Sequence, residues 1–246
     1  MALPPQGRVY FKINEKTIGQ FNNPNYLTER MHRLTASNFG DVIKLKESTS
    51  CDSIVKKILR KNNFSTEATK YGKINETVAI KKFEEEYNKI VKPAGLFVDV
   101  LHGYLGASPD GIISEDEIVV KCSYKTFKSG YSLEEGIIRK QIPYLSMKDN
   151  KIALRKNHEY YYQIQGQLNI IGAKRCYFIV YSGPKNKILV EVFPKDEDFW
   201  INKMLPKLER FFLNCLGPEI ILNRRGRNLK CLDPPYIREA QEKKKK

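Results

Sequence analysis

The sequence predicts a mixed α/β domain in which a central β-sheet is flanked by helices. Three patterns carry that expectation: a strand–turn–strand segment over residues 105–123, an amphipathic helix over 68–90, and a second strand pair, 176–181 and 188–193, after a helix starting at Asn157. With 246 residues, 41% of them apolar, the chain is long enough to bury one sizeable core.

Taken in order, residues 1–25 are rich in Pro, Gly and Asn with one short β-like run at 9–13, and read as an N-terminal arm over the domain surface. Residues 27–33 read as helical and lead into Thr35-Ala36-Ser37. Phe39, Val42 and Ile43 then resume helical spacing, which sets Ser37 at or near a helix N-terminus, where a hydroxyl and free N–H groups suit a phosphate. In the helix over 68–90, Ile80, Phe83 and Tyr87 form an apolar stripe, and Glu76 lies four residues before Ile80 on that stripe. Glu84, Glu85 and Glu86 read as a solvated face. A β run follows at 96–101.

Ser108-Pro109-Asp110-Gly111 pins a turn from which a carboxylate can project. The next strand reads Ile118-Val119-Val120-Lys121-Cys122, and alternation puts Lys121 on the face of Val119 and Glu117. A lysine on an otherwise apolar strand is costly to desolvate and needs a use. The lysine-rich middle, 123–156, contains a candidate lid or DNA-facing segment at 126–132. On the next helix Tyr160, Gln163 and Gln167 share one face, and Tyr161, Ile164, Leu168 and Ile171 another. Last, Trp200, Met204, Leu208, Phe211 and Cys215 form a stripe that reads as core or oligomer interface, broken by Pro206.

Composition bounds the partners. Forty-three Lys and Arg against 28 Asp and Glu give a net charge of +15, which draws a chain toward polyanions. No apolar run approaches the ~20 residues of a membrane span and no N-terminal signal pattern is visible, so the expectation is a soluble, intracellular protein. Five scattered cysteines read as reduced, buried thiols, and three distant histidines give no zinc pattern. Residues 223–246, ending in four lysines, read as a disordered basic tail, serving nuclear import or DNA tethering.

Arg33 to Gly40, Tyr71-Gly72 through Glu76, Ala107 to Gly111, Lys121-Cys122 and Tyr160 to Gln167 stand in one order. In that order they resemble the YqaJ-type viral recombinase domain, the lambda-exonuclease-like branch of the PD-(D/E)xK nucleases. The resemblance covers roughly Tyr26 to Pro218 and implies a restriction-endonuclease-like fold over residues 26–222. It implies metal-dependent DNA hydrolysis of the exonuclease and recombinase type, with Glu76, Asp110, Lys121 and Gln163 as catalytic residues. Arg33, Ser37 and Tyr160 would contact DNA phosphate, and Asp110 and Glu76 would hold Mg2+ or Mn2+. It further implies duplex DNA, a single-strand annealing protein and a homo-oligomer as partners. One departure stands out: the family's Glu-x-Lys is here Val119-Val120-Lys121, and valine supplies no oxygen ligand. Glu117, on the same face two strand rises away, is the candidate substitute. The alternative function is a catalytically inactive DNA-binding module that keeps the nuclease fold.

Overall fold

The computed structural model describes residues 13–59, 67–122, 131–149, 151–181, 183 and 187–245. Most of the segment expected to act as a lid, 126–132, lies outside them.

Helix α1 (Pro24–Arg30) starts on an Asn23 cap whose side chain accepts from the Asn25 N–H, with Pro24 in the first turn. It ends before Arg33, earlier than helical spacing over 27–33 suggests. Strand β1 (Leu34–Thr35) leads through a single 3₁₀ turn, Ala36–Asn38, into the short helix α2 (Phe39–Ile43). Helix α3 (Asp52–Leu59) and the long helix α4 (Glu67–Tyr87) precede strands β2 (Phe97–Val98), β3 (Leu105–Ala107), β4 (Gly111–Ser114) and β5 (Glu117–Cys122). Helix α5 (Leu133–Ile138) opens with a capping box, in which Ser132 and Glu135 satisfy each other's N–H groups. The hairpin β6 (Leu145–Lys148) and β7 (Lys151–Leu154) leads to helix α6 (Glu159–Ile171), whose N-cap is His158 and which stops at Gly172 in the left-handed region. Strands β8 (Arg175–Val180) and β9 (Leu189–Pro194) complete the sheets.

Two sheets meet at the Ser108-Pro109-Asp110 connection. Strands β1, β3 and β2 form one; β4, β5, β8 and β9 form the other, with β5 parallel to β8 and the outer pairs antiparallel. The parity read from the sequence holds in the packing. Ile118 and Val120 lie in one cluster with Ile164 and Leu168 of α6, whereas Val119 packs with Ala79 and Phe83 of α4 and with Tyr177 and Ile179 of β8. The four-stranded sheet is thus covered on both faces, which is why β5 and β8 are continuous apolar runs.

The C-terminal stripe is core. Trp200, Met204, Leu208, Phe211 and Cys215 pack with Leu34, Phe39 and Val42. Pro206 sits in the first turn of helix α7 (Leu205–Phe211), and the turn before it, Trp200–Met204, widens to π geometry. Pro206 brings no N–H of its own, so the break falls where the sequence requires one.

The C-terminal expectation is corrected. Residues 223–245 are not a disordered tail: after helix α8 (Gly217–Leu222) the chain makes a 3₁₀ turn and forms helix α9 (Pro235–Lys243). Ile237 is fully buried, and it and Cys231 belong to the main core. The Asp52 carboxylate accepts from the Cys231 N–H (2.9 Å) and from Arg225 (2.5 Å). In return Asp233 accepts from the Cys51 N–H and the Ser50 hydroxyl, both at 2.9 Å. Burial alone would raise both acids, but these hydrogen bonds outweigh it and hold them below the usual carboxylate range.

The N-terminal arm is likewise stitched to the domain where it is described. Asn14 accepts from the Gly95 N–H and Thr17 from the Leu96 N–H, each at 2.7 Å. A Cβ at Gly95 would fall 2.2 Å from the Asn14 carbonyl oxygen, so this approach requires glycine. Cys51, Cys176, Cys215 and Cys231 are free and buried, as expected of reduced thiols. Among the described residues no helix is long and apolar enough to cross a membrane.

Candidate nuclease site

Asp110 sits at the bend between the two sheets, and three different elements hold its turn by the backbone. The Ser108 carbonyl accepts from the Gln167 amide of α6 (3.0 Å), and the Pro109 carbonyl from the Gln20 amide of the arm (2.8 Å). The Asp110 N–H donates to the Val119 carbonyl at 3.0 Å. Strand pairing then sets Gly111 opposite Val119, so residue 119 is the strand position next to Asp110. Gly111 needs its lack of a Cβ, which would meet the Val91 side chain at 2.2 Å. The Asp110 charge also adds to the burial that pushes the enclosed Cys176 thiol up.

Val119 is fully buried among Ala79, Phe83, Tyr177 and Ile179. Where the family's second carboxylate would stand, the protein is dry and apolar. Glu117, the candidate substitute, is engaged by three neighbours. One of its oxygens pairs with Lys89 at 2.8 Å; the other accepts from the Tyr177 hydroxyl at 3.0 Å and faces Arg175 at 3.5 Å. Burial would raise the Glu117 carboxyl, and the bonds from Lys89 and Tyr177 outweigh it and depress it. It is an ion-paired structural acid two residues back along β5, toward the end of the strand away from Lys121.

The backbones of Glu76 and Lys121 are placed by their elements. Glu76 lies on α4 one turn before Ala79 and two before Phe83, the residues that cover Val119. Lys121 follows Val119 by two on β5, opposite Ile179 of β8. Gln163 comes from the other side: α6 packs on the Ile118 and Val120 face, and Gln163 lies half-buried one turn before Gln167. The two helices that carry Glu76 and Gln163 therefore flank opposite faces of the sheet, with the Asp110 bend at its margin. Tyr160 packs into an aromatic group, edge-to-face with Tyr144 (5.2 Å) and tilted against Phe178 (5.9 Å).

The phosphate candidates divide. Ser37 is exposed, and its hydroxyl accepts from Arg30 at 2.9 Å. Arg33 turns away: it donates to the Gly103 carbonyl at 3.0 Å and pairs with the Glu29 carboxylate at 2.8 Å. Arg30, which sequence reasoning passed over, is thus the cation beside Ser37. Helix α1 sets this choice, since Arg30 is one turn after Tyr26 and bonds to its hydroxyl at 3.2 Å. Gln20 and Gln167 were also missed as supports of the Asp110 turn, their partners lying 89 and 59 residues away in sequence.

No three acidic, histidine or cysteine side chains gather into a metal-holding group among the described residues. A divalent ion takes several oxygens, and Val119 adds none to the Asp110 turn.

This fold, two mixed sheets that meet at an Asp-bearing turn, the larger covered on both faces, is the restriction-endonuclease-like fold of the lambda-exonuclease-like nucleases. The alkaline exonuclease LHK-Exo of Laribacter hongkongensis is 21% identical, with a TM-score of 0.60 over 82% of this chain and 97% of that one. It has also been solved in complex with dAMP. The Kaposi's sarcoma-associated herpesvirus SOX RNA complex aligns over 94% of this chain and 76% of that one, with 12% identity and a TM-score of 0.54. Residues 25–174 match the YqaJ-like viral recombinase domain, and the chain belongs to that family. No curated protein sequence matches the chain.

Proposed function

We propose that this protein binds DNA, duplex in form, through the nuclease-fold cleft, and that its Mg2+- or Mn2+-dependent phosphodiester hydrolysis is weak. Buried Val119 beside Asp110 carries the reading. Family membership and the nuclease fold support DNA as the partner, and so does the net charge of +15. Arg30 and Ser37 form the phosphate contact, since a guanidinium and a hydroxyl 2.9 Å apart on the surface present convergent donors. In this reading Asp110, Glu76, Lys121 and Gln163 are the residues of the weak chemistry, as the resemblance implies. Binding can outlast chemistry in a fold of this kind. The annealing partner and the homo-oligomer belong to the same proposal.

The test has two arms. Titration of labelled duplex DNA at rising salt should show affinity falling steeply with little dependence on sequence. In a divalent-metal cleavage assay the natural chain should be slow and Val119→Glu faster, with Lys121→Ala abolishing the gain. Rapid cleavage by the natural chain would overturn the reading.

A further inference from the structure

The C-terminal segment meets the start of helix α3 through sulfur as well as through carboxylates. Cys51 immediately precedes α3, and Cys231 lies on the irregular stretch before α9. Their Sγ atoms are 3.6 Å apart, although 180 positions separate them in sequence. The approach is held from both sides. Asp52 accepts from the Cys231 N–H and Asp233 from the Cys51 N–H, each at 2.9 Å, so each cysteine's backbone is bonded to a near neighbour of the other. With the backbones fixed and the sulfurs already in contact, joining them asks for a side-chain adjustment rather than a rearrangement of the chain.

The two thiols differ in access. Cys51 is fully buried, whereas Cys231 keeps 8% of its surface and stands between Lys230 and Leu232, both exposed. Hydrogen bonding to the Cys215 and Cys231 sulfurs, together with burial, pushes the Cys51 thiol up, so it keeps its proton until a departing group can take it. Cys215 itself sits deeper, with its Sγ 3.5 Å from the Tyr236 hydroxyl, and Cys176 belongs to a different cluster, against α6 and β5. A small oxidant arriving from solvent therefore meets Cys231 first and finds a second thiol directly behind it.

We infer that Cys51 and Cys231 form a peroxide-reactive dithiol whose oxidation ties the C-terminal segment covalently to the start of α3. The Cys231 sulfur attacks one oxygen of hydrogen peroxide; the O–O bond breaks, and the thiol proton leaves with the other oxygen as water, giving a sulfenic acid. The Cys51 sulfur then attacks the Cys231 sulfur, the S–O bond breaks, and the hydroxyl departs with the Cys51 proton as a second water. Two thiols together lose two electrons, and the peroxide is reduced to two waters. A dithiol reductant reverses the bond by exchange. The link constrains the unfolded chain over 180 positions, which favours the docked, folded segment. Nothing in this step depends on the nucleic-acid reading.

The test exposes the folded chain to hydrogen peroxide, blocks the remaining thiols with iodoacetamide and weighs tryptic peptides without reductant. Peptides 47–56 and 231–238, which carry Cys51 and Cys231, should appear as one species two hydrogens lighter than their sum, and dithiothreitol should release them. In concentrated urea, where the contact is lost, the same exposure should join the cysteines without preference. Oxidation should raise the folding equilibrium constant of the natural chain roughly thirty- to one-thousandfold, the range one cross-link supplies, read as a higher urea midpoint that dithiothreitol cancels. Cys215→Ser should keep both the link and the rise, and Cys231→Ser should lose both. The peptide map of the natural chain decides the matter even if a variant folds poorly. Cys231 that gains oxygen while Cys51 stays alkylated, a link from Cys51 to Cys215, a chain in which neither thiol reacts, or a link that leaves the urea midpoint unchanged would each overturn the inference.

Discussion

Val119→Glu separates a site that has lost one ligand from one that never needed it, and its cost can be worked from the surroundings. Val119 is fully buried among Ala79, Phe83, Tyr177 and Ile179, so a glutamate there is desolvated. Burial raises a carboxyl's pKa by up to about 3–5 units from a reference near 4.3. At pH 7 the resulting loss of stability is limited to about 4 kcal/mol, because beyond that the group stays protonated. The sign follows from linkage. Below about pH 4 the glutamate is neutral in both folded and unfolded chains and the charge-burial penalty vanishes; it grows as pH rises toward the folded-state pKa. A divalent ion bound by the new carboxylate and Asp110 would reverse the trend, restoring about 2.7 kcal/mol at a hundred times its dissociation constant. Urea unfolding of Val119→Glu at pH 4 and pH 7, with and without magnesium, reads all of these quantities. Val119→Gln is the control, because it keeps the shape and cannot ionise. The reasoning fails if the Val119→Glu penalty is independent of pH, or if magnesium stabilises Val119→Gln equally.

Glu117→Gln should lower stability by about 1–2 kcal/mol, since it leaves Lys89 and Tyr177 short of a partner whose side chain is only 13% exposed. Because the Glu117 carboxyl is depressed in the folded chain, its contribution is present at neutral pH and is lost as pH falls through the carboxylate range; the variant should therefore show a flatter acid limb in a pH–stability curve. Ile237→Asp should cost about 3 kcal/mol or more, read as a lower urea midpoint, and an unchanged midpoint would mean that α9 does not dock. Gly166→Ala should destabilise by about 1–3 kcal/mol, since its Cβ would sit 2.4 Å from the buried Phe39 ring; thermal unfolding checks it.

The elements set by local rules were legible. Alternation along Ile118 to Val120 assigned both faces of β5 correctly, and Pro206 broke the last helical stripe where expected. What stayed hidden depends on long-range pairing. Pro234-Pro235 and a run of lysines suggest disorder, yet Cys231 and Ile237 have apolar partners, and Asp233 bonds to residues about 180 positions earlier. The choice of Arg30 over Arg33 has the same origin on a smaller scale. Both lie within seven residues of Ser37, and only the end of α1 at Arg30, with Glu29 occupying Arg33, decides between them. Glu117 was on the correct face for a ligand by parity, but Lys89, on the far side of a turn, had already engaged it.

These placements bear on how binding and cleavage divide within one fold. The valine at 119 is not an isolated exchange on an intact polar floor: Ala79 and Phe83 from α4 and Tyr177 and Ile179 from β8 close around it as one apolar cluster. Such a cluster gains stability from each buried methyl, and a charged group among its members would be expensive. Arg30, Ser37 and Gln20 lie outside that cluster, on α1, the turn after β1 and the arm. Their hydrogen bonds make no use of residue 119. On the proposed reading, a change at residue 119 therefore acts on cleavage without loosening the Arg30–Ser37 surface, and binding and cleavage should separate under mutation.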